Sequence, residues 1–162
     1  MLLILFRSTI LHWWRNKNLR KLGIDYGSKY IGLAVSDRSN TIAHSKDVIK
    51  RTALNQDLDI IKKYLKDYEI DEIVVGMPTS LDGSVGPRAK RTQEFINFLN
   101  NRLEIKITNW DERFTTLIAD QSMLDADLSR KKRKKMVDKI AAALILQNYL
   151  DFINQRDGED NE

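Results

Sequence analysis

The chain has no cysteine, which excludes disulfides and thiolate metal centres. Histidine is nearly as scarce: His12 and His44 are too few for a histidine-rich zinc site. No apolar run is long enough to cross a bilayer, and the most apolar stretch, Met1 to Trp14, is short and broken by Arg7. That stretch also lacks the basic start and small-residue cleavage site of a signal peptide. No internal repeat and no linker divides the chain. What is there is a balance of 42% hydrophobic and 31% charged residues over 162 positions, which predicts one domain with a sizeable core. With thiols absent and imidazoles scarce, any metal is expected to be a hard cation on carboxylates, Mg²⁺ or Mn²⁺.

The opening segment stands apart. It reads either as an amphipathic anchor or as a misassigned start. Trp13-Trp14-Arg15 can be encoded as TGG-TGG-AGG, a GGAGG ribosome-binding sequence just upstream of Leu19, itself a TTG start codon. The expectation is a doubtful extension over 1–18, one domain over 19–155, and an acidic, disordered tail over 156–162. Intact-mass measurement of the native protein tests the start. The formal net charge of +4 includes Arg7, Arg15 and Lys17 from this segment, and the tail sets Asp157, Glu159, Asp160 and Glu162 against Arg156. Nucleic-acid binding therefore has to be argued from local patches rather than from the total.

From Leu22 to Asp37 two short apolar strands are joined by a tight turn. A third strand is expected over Thr41–Ile49. Leu54, Leu58, Ile61, Leu65 and Tyr68 then recur at helical spacing. Glu72 to Gly76 is apolar on both faces, like a buried parallel strand. Met77–Pro87 reads as a loop, Phe95 to Leu103 as a helix, Ile105–Trp110 as a fifth strand, and Thr115 to Ala126 as another helix. A final long helix follows, with Val137, Ala141, Leu144, Ile145 and Tyr149 expected to face the core. This order predicts an α/β fold: a central mixed five-stranded sheet, three antiparallel strands followed by parallel ones, flanked by helices.

Asp25 is the most informative single residue, a carboxylate inside an apolar strand and beside the Gly27 turn. An unpaired charge there is costly, so Asp25 either caps its own turn or serves a ligand. Asp111 and Glu112 follow the fifth strand, at the strand end where α/β sheets gather ligand groups. Asp138 lies early in the last helix. Separately, Asp111-Glu112 reads as a solvated loop and Asp138 as a helix-dipole contact. Together, three carboxylates at one place repel each other unless cations sit between them, and paired cations there suit phosphodiester cleavage.

Arg130, Lys131, Lys132, Arg133, Lys134 and Lys135 form an unbroken basic run at a helix start, where cations oppose the macrodipole. A solvated face is one reading; a phosphate backbone that supplies the missing anion is the other. Arg88, Lys90 and Arg91 open the second long helix after a Gly-Pro turn and are read either as plain surface or as a phosphate grip. Trp110 is read as core in preference to a base-stacking platform. Arg113 either orients Glu112 or neutralises phosphate.

The ordered motifs Gly23-Ile-Asp-Tyr-Gly-Ser-Lys29, Val75-Gly-Met-Pro78, Asp82-Gly-Ser-Val-Gly-Pro-Arg-Ala89, Asp111-Glu-Arg-Phe-Thr-Thr116, Ser129-Arg-Lys-Lys-Arg-Lys-Lys135 and Val137-Asp-Lys-Ile-Ala-Ala142 resemble the YqgF/RuvX family. Those proteins are Holliday-junction-resolvase-like and are also described as pre-16S rRNA nucleases. The resemblance spans about residues 19–152. It implies an RNase H-like fold, with Asp25, Asp111, Glu112 and Asp138 as the acidic site and Asp25, Glu112 and Asp138 as metal ligands. It also implies nucleic-acid contacts by the basic residues above and by Lys29. One departure bears on the resolvase label: the fourth strand ends in Gly76-Met-Pro, without the acid that RuvC-type resolvases supply there.

The expected function is thus a cytoplasmic, Mg²⁺- or Mn²⁺-dependent nuclease that processes the 5′ end of precursor 16S rRNA. Its partners are structured RNA or a ribosomal particle, with no membrane role. Resolution of four-way DNA junctions is the alternative chemistry; junction symmetry would ask for a homodimer where rRNA trimming allows a monomer. A non-catalytic nucleic-acid-binding module is the alternative of another class, disfavoured by the retained carboxylates. An actin-like ATP-binding protein is excluded, because its nucleotide site needs a second similar domain.

Overall fold

The computed structural model describes residues 19–79, 86–112 and 130–159, with side-chain detail in the last helix over 140–156. The helix expected over 115–126 lies outside the described residues. Strands β1 (Arg20–Tyr26), β2 (Tyr30–Ser36) and β3 (Ala43–Lys50) are followed by α1 (Leu54–Asp67), β4 (Ile70–Met77), α2 (Pro87–Asn100), β5 (Lys106–Asp111) and α3 (Arg130–Glu159). The sheet order is β3-β2-β1-β4-β5, with β1–β2 and β2–β3 antiparallel and β1–β4 and β4–β5 parallel. This is the mixed sheet expected from the pattern. The carboxyl ends of β1, β4 and β5 consequently lie side by side.

Alternation along the strands makes two layers of core. Leu22, Ile24 and Tyr26 of β1, Ile31, Leu33 and Val35 of β2, and Ile73 and Val75 of β4 pack against Leu58 and Ile61 of α1 and Phe95, Ile96 and Leu99 of α2. On the other face Ala34 and Val74 meet Ala142, Ile145, Leu146, Tyr149 and Leu150 of α3. That close approach depends on Gly23: a Cβ there would stand 2.7 Å from the Leu146 Cβ and 2.8 Å from the Ala142 carbonyl oxygen.

Three expectations need correction. The buried stripe of α3 is Ala142-Ile145-Leu146-Tyr149-Leu150; Ala141 and Leu144 are only half-buried, and the Val137 side chain lies outside the described residues. The reason is that Gly23 draws Ala142 and Leu146, rather than Ala141 and Leu144, onto the sheet. Leu54 is 40% exposed, and Leu58 and Ile61 carry the packing of α1 instead. Finally, α3 runs into the acidic tail as far as Glu159. Two tertiary contacts hold its last described turns, Asn154 donating to the Asn40 carbonyl at 2.9 Å and Ile153 packing on the α3-side core, and within the helix Arg156 lies against the Phe152 ring.

Candidate active site

Period-two alternation decides which side chains share the α3 face of the sheet. Asp25, next to last in β1, pairs with Gly32 of β2, so no side chain crowds it from that strand. The Glu112 amide donates to the Met77 carbonyl at 3.1 Å, extending the β4–β5 pairing one residue past β5. Glu112 thereby falls on the same face as Trp110 and Asp25, with Asp111 on the opposite one. Gly76 makes the room. A Cβ at that position would stand 2.4 Å from Ile145 Cδ1 and 2.8 Å from Glu112 Oε1.

Arg88 reaches this pair from the first turn of α2, whose start is set by Gly86 as N-cap and Pro87 as the first helical residue. Its Nη2 lies 3.1 Å from Asp25 Oδ1 and 3.5 Å from Glu112 Oε2. One guanidinium thus bridges two carboxylates contributed by different strands. Burial pushes the Glu112 carboxyl above its ordinary range; the Arg88 charge opposes this, and the charges of Asp25 and Asp111 reinforce it. Negative charge is therefore concentrated at the sheet's carboxyl edge, and a cation already mediates between its holders. An all-oxygen donor set that draws a shared cation fits a hard divalent metal. Among the described residues no cluster of three metal-binding side chains is complete. Asp138 lies on α3 one helical turn before Ala142, which packs at Gly32 beside Asp25; its side chain is outside the described set.

The turn after Asp25 is clamped from behind by Arg51, which the sequence reading did not single out. Its Nη1 donates to the Gly27 and Ser28 carbonyls at 3.0 and 3.3 Å, its Nη2 to the Tyr26 hydroxyl, and its backbone amide to the Lys29 carbonyl at 2.9 Å. The guanidinium also lies 4.1 Å from the Tyr26 ring centre, and that ring stacks at 3.9 Å on Phe95. Buried Asp57 stands 3.8 Å from Arg51 Nε. No local motif announces this clamp, because its parts come from β1, α1, α2 and the β3–α1 connection.

In front of the turn is a cavity of about 470 Å³ lined by Asp25, Gly27, Ser28, Lys29, Tyr30, Gly32, Val48, Arg88 and Arg91. Of the expected phosphate-binding residues, Lys29, Arg88 and Arg91 line it. Lys90 is exposed on α2 and does not. Arg88 also touches Asp25 and Glu112, a part in the acidic cluster that its reading as a phosphate grip did not include. Arg113 lies outside the described residues. Residues Arg130, Lys131, Lys132, Arg133, Lys134 and Lys135 form the first turns of α3, without described side chains. Trp110 is half-buried against Tyr149 and Phe152, with ring centres at 5.3 Å in both pairs, which is packing and not an open platform.

The curated relative from Halothermothrix orenii, named "Putative pre-16S rRNA nuclease", is 46% identical over 140 residues, 86% of this chain and all of the relative. A relative of the same name from Desulfitobacterium hafniense is 44% identical over 144 residues, 89% of this chain and all of its own length. Among solved structures, T. thermophilus RuvC in complex with a Holliday junction substrate shares the fold with a TM-score of 0.51, at 14% identity, over 86% of this chain and 96% of that one. The profile of the RuvX family, described as Holliday junction resolvase, matches residues 19–152. On the strength of that match and of relatives sharing nearly half their residues, the chain belongs to the RuvX family.

Proposed function

We propose that this protein is a metal-dependent phosphodiester nuclease that processes the 5′ end of precursor 16S rRNA. The observation that carries the reading is the convergence of Asp25 and Glu112 on Arg88, at the carboxyl ends of parallel strands and beside a cation-lined cavity. Relatives named for pre-16S rRNA cleavage favour RNA as the substrate. The body from 19 to 155 acts as one domain. A monomer suffices for trimming, and the setting is the cytoplasm, where ribosomes are made. Among the described residues no helix is long and apolar enough to cross a membrane.

Asp25 and Glu112 would hold Mg²⁺ or Mn²⁺, with Asp138 as the third ligand from α3. When bound, such cations activate water and offset charge on the leaving oxygen. Asp111, on the opposite face, acts on Glu112 through its charge. Arg88 keeps the two carboxylates together and presents its remaining N–H groups to a phosphate oxygen. Lys29 and Arg91 hold the flanking phosphates in the cavity, and the basic start of α3 adds non-specific grip. The Arg51–Tyr26–Phe95 stack keeps the Gly27–Lys29 turn, and so Asp25, in register.

Resolution of four-way DNA junctions is the second reading, favoured by the family's description as Holliday junction resolvase. Cleavage of a 5′-extended 16S precursor and of a four-way junction, side by side with Mg²⁺ or Mn²⁺, separates the two. Asp25→Asn is expected to lower the rate on the true substrate by about a thousandfold or more. Cutting of the junction alone would replace the rRNA reading; cutting that survives Asp25→Asn would remove Asp25 from the site.

A further inference from the structure

One side of the cavity is not explained by metal or phosphate. Across three strands the register aligns Asp25 of β1, Gly32 of β2 and Val48 of β3. Gly32 leaves a gap in this row, and beyond it Val48 is 42% exposed. Tyr30, two residues before Gly32 and so on the same face, is 52% exposed. Its carbonyl accepts from the Gly27 amide at 2.9 Å, which ties its backbone to the clamped turn. Two apolar side chains are thus displayed on the cavity floor while Lys29, Arg88 and Arg91 supply positive charge around it.

We infer that Tyr30, with Val48 beside it, is a platform for the base of an unpaired nucleotide next to the reacting phosphate. The inference rests on the nuclease reading and names the substrate feature that the site selects. Val48 lies two strand spacings from Asp25, roughly 10 Å, which is a span suited to one nucleotide with its phosphate at the carboxylates and its base over the shelf. An aromatic ring next to cations is the common design of single-strand sites, because every base offers a π-face and every linkage a charge. A base inside a duplex has both faces covered by its neighbours, so the platform favours a frayed or single-stranded segment.

The test is binding without turnover. Full-length protein in EDTA is titrated with a fluorescent single-stranded RNA, the same sequence as single-stranded DNA, and the blunt duplex. Tyr30→Ala is expected to weaken single-strand binding about tenfold and duplex binding by less than about twofold, with Tyr30→Phe close to the parent. A 2-aminopurine in the strand should be quenched by the parent and by Tyr30→Phe, but not by Tyr30→Ala. Loss on RNA alone assigns the platform to RNA, and equal loss on both strands makes it blind to the sugar; either supports it. Single-strand affinity and quenching unchanged in Tyr30→Ala, or equal losses on single strand and duplex, would overturn it. Because no cleavage is read, the outcome is separable from the nuclease reading: Asp25→Asn decides that one, and either can fail while the other stands.

Discussion

The two ends of the sheet each hold a nearly buried glutamate, and they treat it in opposite ways. At the amino end of β4, Glu72 is 3% exposed and saturated. Its Oε1 takes hydrogen bonds from Thr108 at 2.6 Å and Tyr149 at 2.7 Å and an ion pair from Lys106 at 2.8 Å, while Oε2 lies 3.2 Å from Lys21. Burial works to raise its pKa, but the bonds from Lys106, Thr108 and Tyr149 and the charge of Lys21 outweigh it and hold the carboxyl below its ordinary range. At the carboxyl end, Glu112 shares Arg88 with Asp25 and feels Asp111 as well, and its carboxyl is pushed up. The satisfied glutamate staples β4, β5 and α3 together; the crowded one is arranged for a cation and a phosphate that arrive with the substrate. A buried carboxylate is informative through the balance of charge around it.

Glu112→Gln should reduce cleavage by about a thousandfold and leave denaturant stability at or above the parent value, since it relieves repulsion with Asp25 and Asp111. Glu72→Ala should do the reverse. Removing one partner of a buried ionic network leaves Tyr149, Thr108 and Lys106 without the Glu72 acceptor, and Lys21 with Asp71 alone, and should cost about 3–5 kcal/mol in urea unfolding, with activity per folded molecule retained. Gly76→Ala places a methyl group against Ile145 and Glu112 at once, so it should lose about 1–3 kcal/mol and activity together, unlike either glutamate variant.

The smallest effect is in pH dependence. Because the Glu72 carboxyl titrates lower in the folded state than its ordinary value of 4.5, its stabilisation is complete above that pH and is lost as pH falls through the folded value. Urea midpoints measured downward from pH 6 should therefore fall more steeply in the parent than in Glu72→Gln. Parallel curves would detach Glu72 from acid stability.

Much of this was legible in the sequence, and for physical reasons. The run from Ile73 to Val75 reads as a parallel strand because it is buried on both faces. Asp25 stands out because charge is rare inside such a strand. The edge strand β3, largely exposed and carrying His44, Lys46 and Asp47, has too little apolar pattern to mark its start, which lies at Ala43 rather than Thr41. The choice between Asp111 and Glu112 was not legible, since it depends on where β5 stops pairing with β4. Nor was the approach of Arg88 to Asp25, which joins residues 63 positions apart. Glu72 reads as an ordinary strand residue until Lys21, Lys106, Thr108 and Tyr149 are brought around it by the tertiary fold.

The most direct test of the contrast is urea unfolding of Glu112→Gln beside Glu72→Gln at neutral pH in EDTA. Opposite signs are expected, with Glu112→Gln as stable as the parent or more so and Glu72→Gln clearly less stable. Destabilisation of both to a similar extent would contradict the contrast, making Glu112 a structural glutamate like its counterpart at the other end of the sheet.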